Sequence, residues 1–406
     1  MKSFELVLAI ASFLLLASGM VFKKNKRSPF SEPIVGLAAG ILLGPQVLRV
    51  LQMQEWGPPE QIMRVACQLT ISMALLATAF RIPKGFFLQH KGQQTKLVLL
   101  GMIGMFLVSG FIIKLVFGFD WTLSFLIGAV ITPTDPVLAS TIVSGQAAED
   151  LLPERIRHTI SFESGANDGM AYSLVLLPML LLEKGSEAVT EWMVRTVLYE
   201  TVGGIVLGMV IGYLAAKTLV LATAKGWTAK PALLVFSLSL GFFVLGLLEL
   251  IHMNAIVGVF AAGFIANHEL SREEDIEQEE VQEAMERIFT LPVFFLFGLI
   301  LPWHDWLMMG WKAAAVVAGI LLLRRLPVLF ALGPLLKFPK KDDLAFIGWF
   351  GPIGVAALFY AMHALHKTGH NEVWHVASLI IFASTIIHGI TGYHFAKWYN
   401  KKHGKS

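Results

Sequence analysis

Apolar stretches of about 18 residues or more, nearly free of charge, recur along this chain, and no other feature restricts its fold as strongly. A stretch of that length crosses the hydrocarbon core of a bilayer as a helix. Within that core every backbone polar group must find a partner inside the protein, which leaves helices or closed barrels. The composition agrees with helices: of 406 residues, 55% are hydrophobic and 15% charged, and mean hydropathy is +0.66. The expected fold class is therefore an all-α polytopic membrane protein.

Spans are expected near 4–22, 33–51, 61–80, 96–117, 121–145, 158–182, 191–221, 231–250, 254–267, 288–302, 307–335, 344–365 and 373–396, thirteen in all. Lys23, Lys24, Lys26 and Arg27 follow the first span and resist translocation, which favours a retained helix over a cleaved signal. The 254–267 span is short and rich in glycine and alanine, a composition suited to close helix packing. Placing the N-terminus outside puts nearly all loop lysines and arginines on the cytoplasmic side, including the tail from Lys397 to Lys405. The acidic loop 269–286 falls on that same side and reads as a solvated helical face. The net charge of +3 gives no sign of a nucleic-acid partner, and the single cysteine, Cys67, excludes an internal disulfide.

Two spans are interrupted. Pro133 and Pro136 flank Asp135 in Thr132-Pro133-Thr134-Asp135-Pro136, and Gly351, Pro352 and Gly354 break the twelfth span at Gly348-Trp349-Phe350-Gly351-Pro352-Ile353-Gly354. Unwound backbone at membrane depth is tolerated where it is buried in protein or lines a cavity. Matching breaks in two halves of opposite direction point to inverted repeats whose discontinuous helices cross at a midplane site. Asp135 at such a crossing serves either as counter-charge to helix N-termini or as a cation ligand.

The sixth span carries two carboxylates, Glu163 and Asp168, where a buried charge is costly and generally marks an ion pathway. Ser164 and Asp168 share one helical face, as do Glu163 and Asn167. With the unwound carbonyls of Thr132 to Thr134 they form a hard oxygen site suited to alkali cations. Burial also favours the protonated form of a carboxylate, so one group here takes either a cation or a proton. Glu163 needs a cationic partner, and Arg324 is the expected one, with Arg325 reaching the headgroups. His363, His366, His370 and His375 read as an interfacial polar rim, and His388 as a packing and hydrogen-bonding residue.

The runs Thr134-Asp135-Pro136-Val137-Leu138-Ala139, Glu163-Ser164-x-x-Asn167-Asp168 and Gly348 to Val355, with the Arg324 span, resemble the monovalent cation/proton antiporter family in its Asn-Asp branch. They are most similar to fungal plasma-membrane sodium/proton antiporters and bacterial relatives. The resemblance implies a homodimer in the cell membrane whose transport core moves as an elevator against interface helices. It divides the chain into interface helices at 1–95, transport core at 96–183, interface helices at 184–303, transport core at 304–398 and a short tail at 399–406. It also implies that Asp168 binds the cation (Na⁺ or Li⁺) or the proton, helped by Ser164, Thr132 and Thr134. Asn167, Glu163 and Arg324 then support the site, and no cofactor is needed. Animal members carry an arginine in the second broken helix that this chain lacks, and regulation through a long tail is not expected. The resulting reading is a sodium/proton antiporter and not an enzyme, moving one cation for one proton. The alternatives are a potassium/proton antiporter, a passive cation channel or an intramembrane aspartyl protease using Asp135 and Asp168. The Gly-x-Gly-Asp pattern of such proteases is absent.

Overall fold

The computed structural model describes residues 9–10, 12–13, 31–227, 230–270, 286 and 288–404, and all secondary structure among them is helical. Nearly all of the first expected span and of the acidic loop lies outside the described residues. The helices are α1 Glu32–Leu43, α2 Pro59–Arg81, α3 Phe86–Phe117, α4 Trp121–Val130, α5 Pro136–Val143, α6 Gly145–Leu151 and α7 Glu154–Lys184. After a π-helical run, Trp192–Val202, come α8 Gly203–Ala224, α9 Lys230–Leu250, α10 Ala255–Glu269 and α11 Ile288–Leu299. The last part of the chain forms α12 Trp303–Met308, α13 Trp311–Leu323, α14 Leu326–Leu336, α15 Lys341–Trp349, α16 Val355–Thr368 and α17 Asn371–His403. Among the described residues, five helical runs are long and apolar enough to cross a membrane, and several shorter apolar helices accompany them.

Both expected breaks are present. α4 stops at Val130 and α5 starts at Pro136, while α15 stops at Trp349 and α16 starts at Val355. Three departures from the expected spans have local causes. α3 begins ten residues earlier than the apolar pattern, at Phe86, and kinks at His90, where φ is −117° and ψ is 16°. The boundary drawn at 95–96 therefore falls inside one helix. The span expected as continuous over 307–335 is divided into α13 and α14 at Arg324-Arg325. Pro327 there lacks an N–H and crowds the carbonyl four residues back. Finally, α17 continues to His403, so most of the expected tail is helical.

α10 is the short glycine- and alanine-rich helix, and it is buried along almost its whole length. It packs against α2, α8 and α9. Gly204, Gly208 and Gly212 of α8 face Asn254, Gly258 and Ala262 at matching four-residue intervals. This is the small-residue spacing that lets two backbones approach closely in lipid. A Cβ at Gly208 would lie 2.9 Å from the Gly258 Cα, whereas one at Gly246 would meet nothing within 4 Å. Gly208→Ala is accordingly expected to cost about 1–3 kcal/mol through overpacking and to lower the thermal-unfolding midpoint in detergent. Gly246→Ala is expected to be neutral or slightly stabilising. Equal midpoints for the two variants would contradict this packing.

Candidate functional site

The two broken helices meet where each is unwound, and the Asp135 N–H donates to Pro352 O at 2.8 Å. Each break exposes one helix C-terminus and one N-terminus, whose orphan carbonyls and N–H groups carry partial charge. Asp135 satisfies both N-termini. Its Oδ1 accepts from the N–H groups of Val137 at 2.6 Å and Leu138 at 3.2 Å, while its Oδ2 accepts from Val355 N–H at the start of α16. The residue before Val355 must be glycine, because a Cβ at Gly354 would sit 2.7 Å from the Asp135 Cγ. In this structure Asp135 thus stands as the counter-charge of the crossing, with both oxygens engaged.

Arg324 does the same for the negative ends. Its Nη1 donates to Ile131 O at 2.5 Å and Thr132 O at 3.0 Å, just past the end of α4, and its Nη2 donates to Gly351 O past the end of α15. The second broken helix has no arginine of its own, and its C-terminal end is served by Arg324 from the α13–α14 junction. His388 adds a contact to the same end, with its Nε2 3.1 Å from Trp349 O, and Ser384 Oγ accepts from Ile353 N–H at 2.7 Å.

Glu163 pairs with Arg325, not with Arg324 as the sequence suggested. Arg325 Nη1 and Nη2 reach the two Glu163 oxygens at 2.6 and 2.7 Å, a bidentate bridge, and Nε donates to Ile347 O at 2.9 Å. Both side chains are buried. The reassignment follows from the turn before Pro327, which sends the adjacent arginines to different places and leaves Arg325 no route to the headgroups. Snorkelling was the wrong expectation for it.

Asn167 joins this pair to the unwound strand. Its Nδ2 donates to Thr134 Oγ1 at 2.7 Å and Glu163 Oε1 at 3.2 Å, and its Oδ1 accepts from Thr134 N–H at 3.1 Å. Thr134 Oγ1 also lies 3.2 Å from Ser164 Oγ. Thr132 is occupied differently: its hydroxyl donates to Gly128 O at 2.7 Å and its carbonyl accepts from Arg324.

Asp168 stands apart from all of these. It is 1% exposed, and neither carboxylate oxygen makes a hydrogen bond. Only its backbone is held, through Tyr360, whose hydroxyl donates to Asp168 O at 2.5 Å. A buried carboxylate without donors is unfavourable as a bare anion, so it calls for a proton or a cation. Tyr360 is the participant that sequence reasoning missed, and Arg325 the one it sent to the headgroups, although the Arg-Arg-x-Pro run was a signal for its true place. His366 and His375 sit near Glu60 and Asp305, at 3.9 and 3.7 Å. No group of three or more potential metal ligands gathers among the described residues.

The reassigned bridge can be tested by double-mutant cycles. Glu163→Gln and Arg325→Gln are each expected to lose about 3–5 kcal/mol of stability, with the double variant losing clearly less than the sum. Coupling of Glu163 to Arg324 is expected to be smaller, since no hydrogen bond joins them. Additive losses for Glu163 and Arg325 would contradict the bridge.

Residues 9–398 match the family described as sodium/hydrogen exchanger, transmembrane. A Na(+)/H(+) antiporter of Schizosaccharomyces pombe is 29% identical over 405 residues, covering 92% of this chain and 86% of that protein. One from Saccharomyces cerevisiae is 30% identical over 88% of this chain, which spans 40% of the yeast protein. A K(+)/H(+) antiporter, NhaP2 of Shewanella oneidensis, is 24% identical over 70% of this chain and 48% of its own length. The fold is similar to that of the sodium proton antiporter MjNhaP1 from Methanocaldococcus jannaschii, with a TM-score of 0.78 at 17% identity and full coverage of both chains. The matched region takes in both broken helices and the Asp168 site, and the chain belongs to the sodium/hydrogen exchanger family of transmembrane proteins.

Proposed function

We propose that the chain exchanges sodium for protons across the cell membrane, with lithium also accepted, and that Asp168 is the group that alternates between the two. The observation carrying this reading is the Asp168 carboxylate, buried with both oxygens unpartnered while its charged neighbours are engaged. A cation or a proton neutralises that carboxylate, but not both together. Ser164, one turn back along α7, and Thr134, whose Oγ1 lies 3.2 Å from the Ser164 hydroxyl, are the nearest oxygens in this reading, a donor set suited to a hard monovalent cation. Sodium is preferred as the cation because the S. pombe and S. cerevisiae relatives are named for it. Exchange of potassium is the second reading, favoured by the NhaP2 resemblance.

Movement of the site follows from how it is held. The broken helices, α7 and the α13–α14 junction are joined by Asp135, Arg324 and the Glu163–Arg325 bridge. Against α10, by contrast, α7 presents Gly165 to Phe260 and Gly169 to Val257. Charged ties within one block, and a seam against the other that is crossed by uncharged hydrogen bonds such as Asn254 Nδ2 to Gly169 O, suit an elevator, in which the core slides as a unit past α2, α8, α9 and α10. The protein works as a homodimer through the interface helices, with its C-terminus cytoplasmic. It needs no cofactor. One carboxylate switching per cycle moves one cation for one proton.

Asp168→Asn is expected to abolish sodium-driven proton movement in proteoliposomes while the protein still inserts and folds, because an amide cannot alternate between charged and protonated states. Transport above about a tenth of wild type would remove Asp168 from the centre of the mechanism. Ser164→Ala is expected to retain exchange and weaken apparent cation affinity by about 1 kcal/mol, the worth of one oxygen contact. An unchanged affinity would place Ser164 outside the cation's shell.

A further inference from the structure

A second buried acid with one oxygen lacking a hydrogen bond lies in the π-helical run. Glu200 is 5% exposed, and its Oε2 makes no hydrogen bond. Its Oε1 accepts from Arg195 Nε at 3.2 Å. Arg195 has a side chain 63% exposed and also lies 3.6 Å from Glu191 Oε1. In an α-helix, residues five apart lie about 140° apart around the axis and cannot pair. The π-helical winding over Trp192–Val202 repeats every five residues through its hydrogen bonds and brings 195 and 200 onto one face. Runs of this geometry are uncommon and cluster at functional sites.

The run is fastened beside the ion site. Trp192 Nε1 donates to Ser173 O at 2.6 Å, Thr201 Oγ1 lies 2.8 Å from Ser173 Oγ, and Glu200 O accepts from Asn254 N–H at 2.9 Å. Asn254 in turn donates through Nδ2 to Gly169 O at 2.8 Å, one residue from Asp168. Tyr172, one turn along α7 from Asp168, is within electrostatic reach of Glu200, Glu249 and Arg195. Tyr360 is in turn within reach of Tyr172 and Asp168. Arg195 thus contacts Glu200, Tyr360 contacts the Asp168 backbone, and Tyr172 lies within electrostatic reach of both Glu200 and Tyr360. Glu249, paired with Gln68 and facing Arg64 and His252, borders the same path.

We propose that Glu200 is a second, transient binding station for the monovalent cation and the proton, between Asp168 and the aqueous side at which α7 ends. Arg195 occupies the carboxylate when no cation is present and leaves it when one arrives. The station does not travel with Asp168, because it belongs to the run leading into α8. The inference rests on the exchange reading, and it predicts an asymmetry that a purely structural role would not give.

The test uses right-side-out and inside-out membrane vesicles and the apparent KM for sodium in each. Glu200→Gln is expected to raise the KM about five- to tenfold, as loss of one charge-assisted contact does, when sodium is offered from the side at which α7 ends. From the opposite side the change is expected to stay within about twofold, and Glu200→Asp to recover most of the loss. Arg195→Gln, at an exposed position, is expected to lower the KM on the first side only. Changes equal on both sides, or no change in either variant, would overturn the proposal. A wild-type protein that moves no protons in response to sodium would overturn the exchange reading instead.

Discussion

The structure depends on how four helix ends are neutralised at one crossing inside the membrane. Each end carries about half an elementary charge, so two N-termini together present about +1 and two C-termini about −1. One aspartate and one arginine match these sums. Asp135 takes the N–H groups of both halves, and Arg324 takes the carbonyls of both. Without that match, unwound backbone would be exposed to a medium offering no hydrogen bonds. Because each side chain spans both broken helices, the charges that neutralise the crossing also bind its two halves together.

The freedom of Asp168 follows from this arrangement. Glu163 is neutralised by Arg325, Asn167 is pinned between Glu163 and Thr134, and Asp135 is spent on helix ends. What remains is one carboxylate without a fixed partner. A further donor within reach would hold it as an anion and weaken its need for either ion. The glycines beside it have a complementary role: at position 169 a Cβ would lie 2.5 Å from the Val257 Cα, so the block bearing the site packs closely on α10, whose N-cap Asn254 also donates to Gly169 O.

Much of this was legible in the sequence. The apolar spans, the prolines around Asp135, the glycines around Pro352 and the Glu163-to-Asp168 run mark the membrane class, both breaks and the candidate ion site. The division of labour between Arg324 and Arg325 was not legible, because adjacent residues in a continuous helix differ only by rotation about its axis. The turn enforced by Pro327 separates them by more than that, and Arg324 thereby reaches Gly351 O in a broken helix that has no arginine of its own. The π-helical run was hidden for a related reason. Its apolar composition over 191–221 fits an ordinary span, and only the five-residue spacing of Arg195 and Glu200 distinguishes it.

The central claim is that Asp168 alone switches while the other charges at the crossing stay committed. The most direct measurement is sodium-driven proton flux in proteoliposomes whose membrane potential is clamped with potassium and valinomycin. One switching carboxylate carries one cation or one proton per half-cycle, so the flux is expected to be independent of potential. A flux that changes strongly with potential would mean that a second group travelling with Asp168 changes its charge during transport, and the account of a fully neutralised crossing with one free acid would be contradicted.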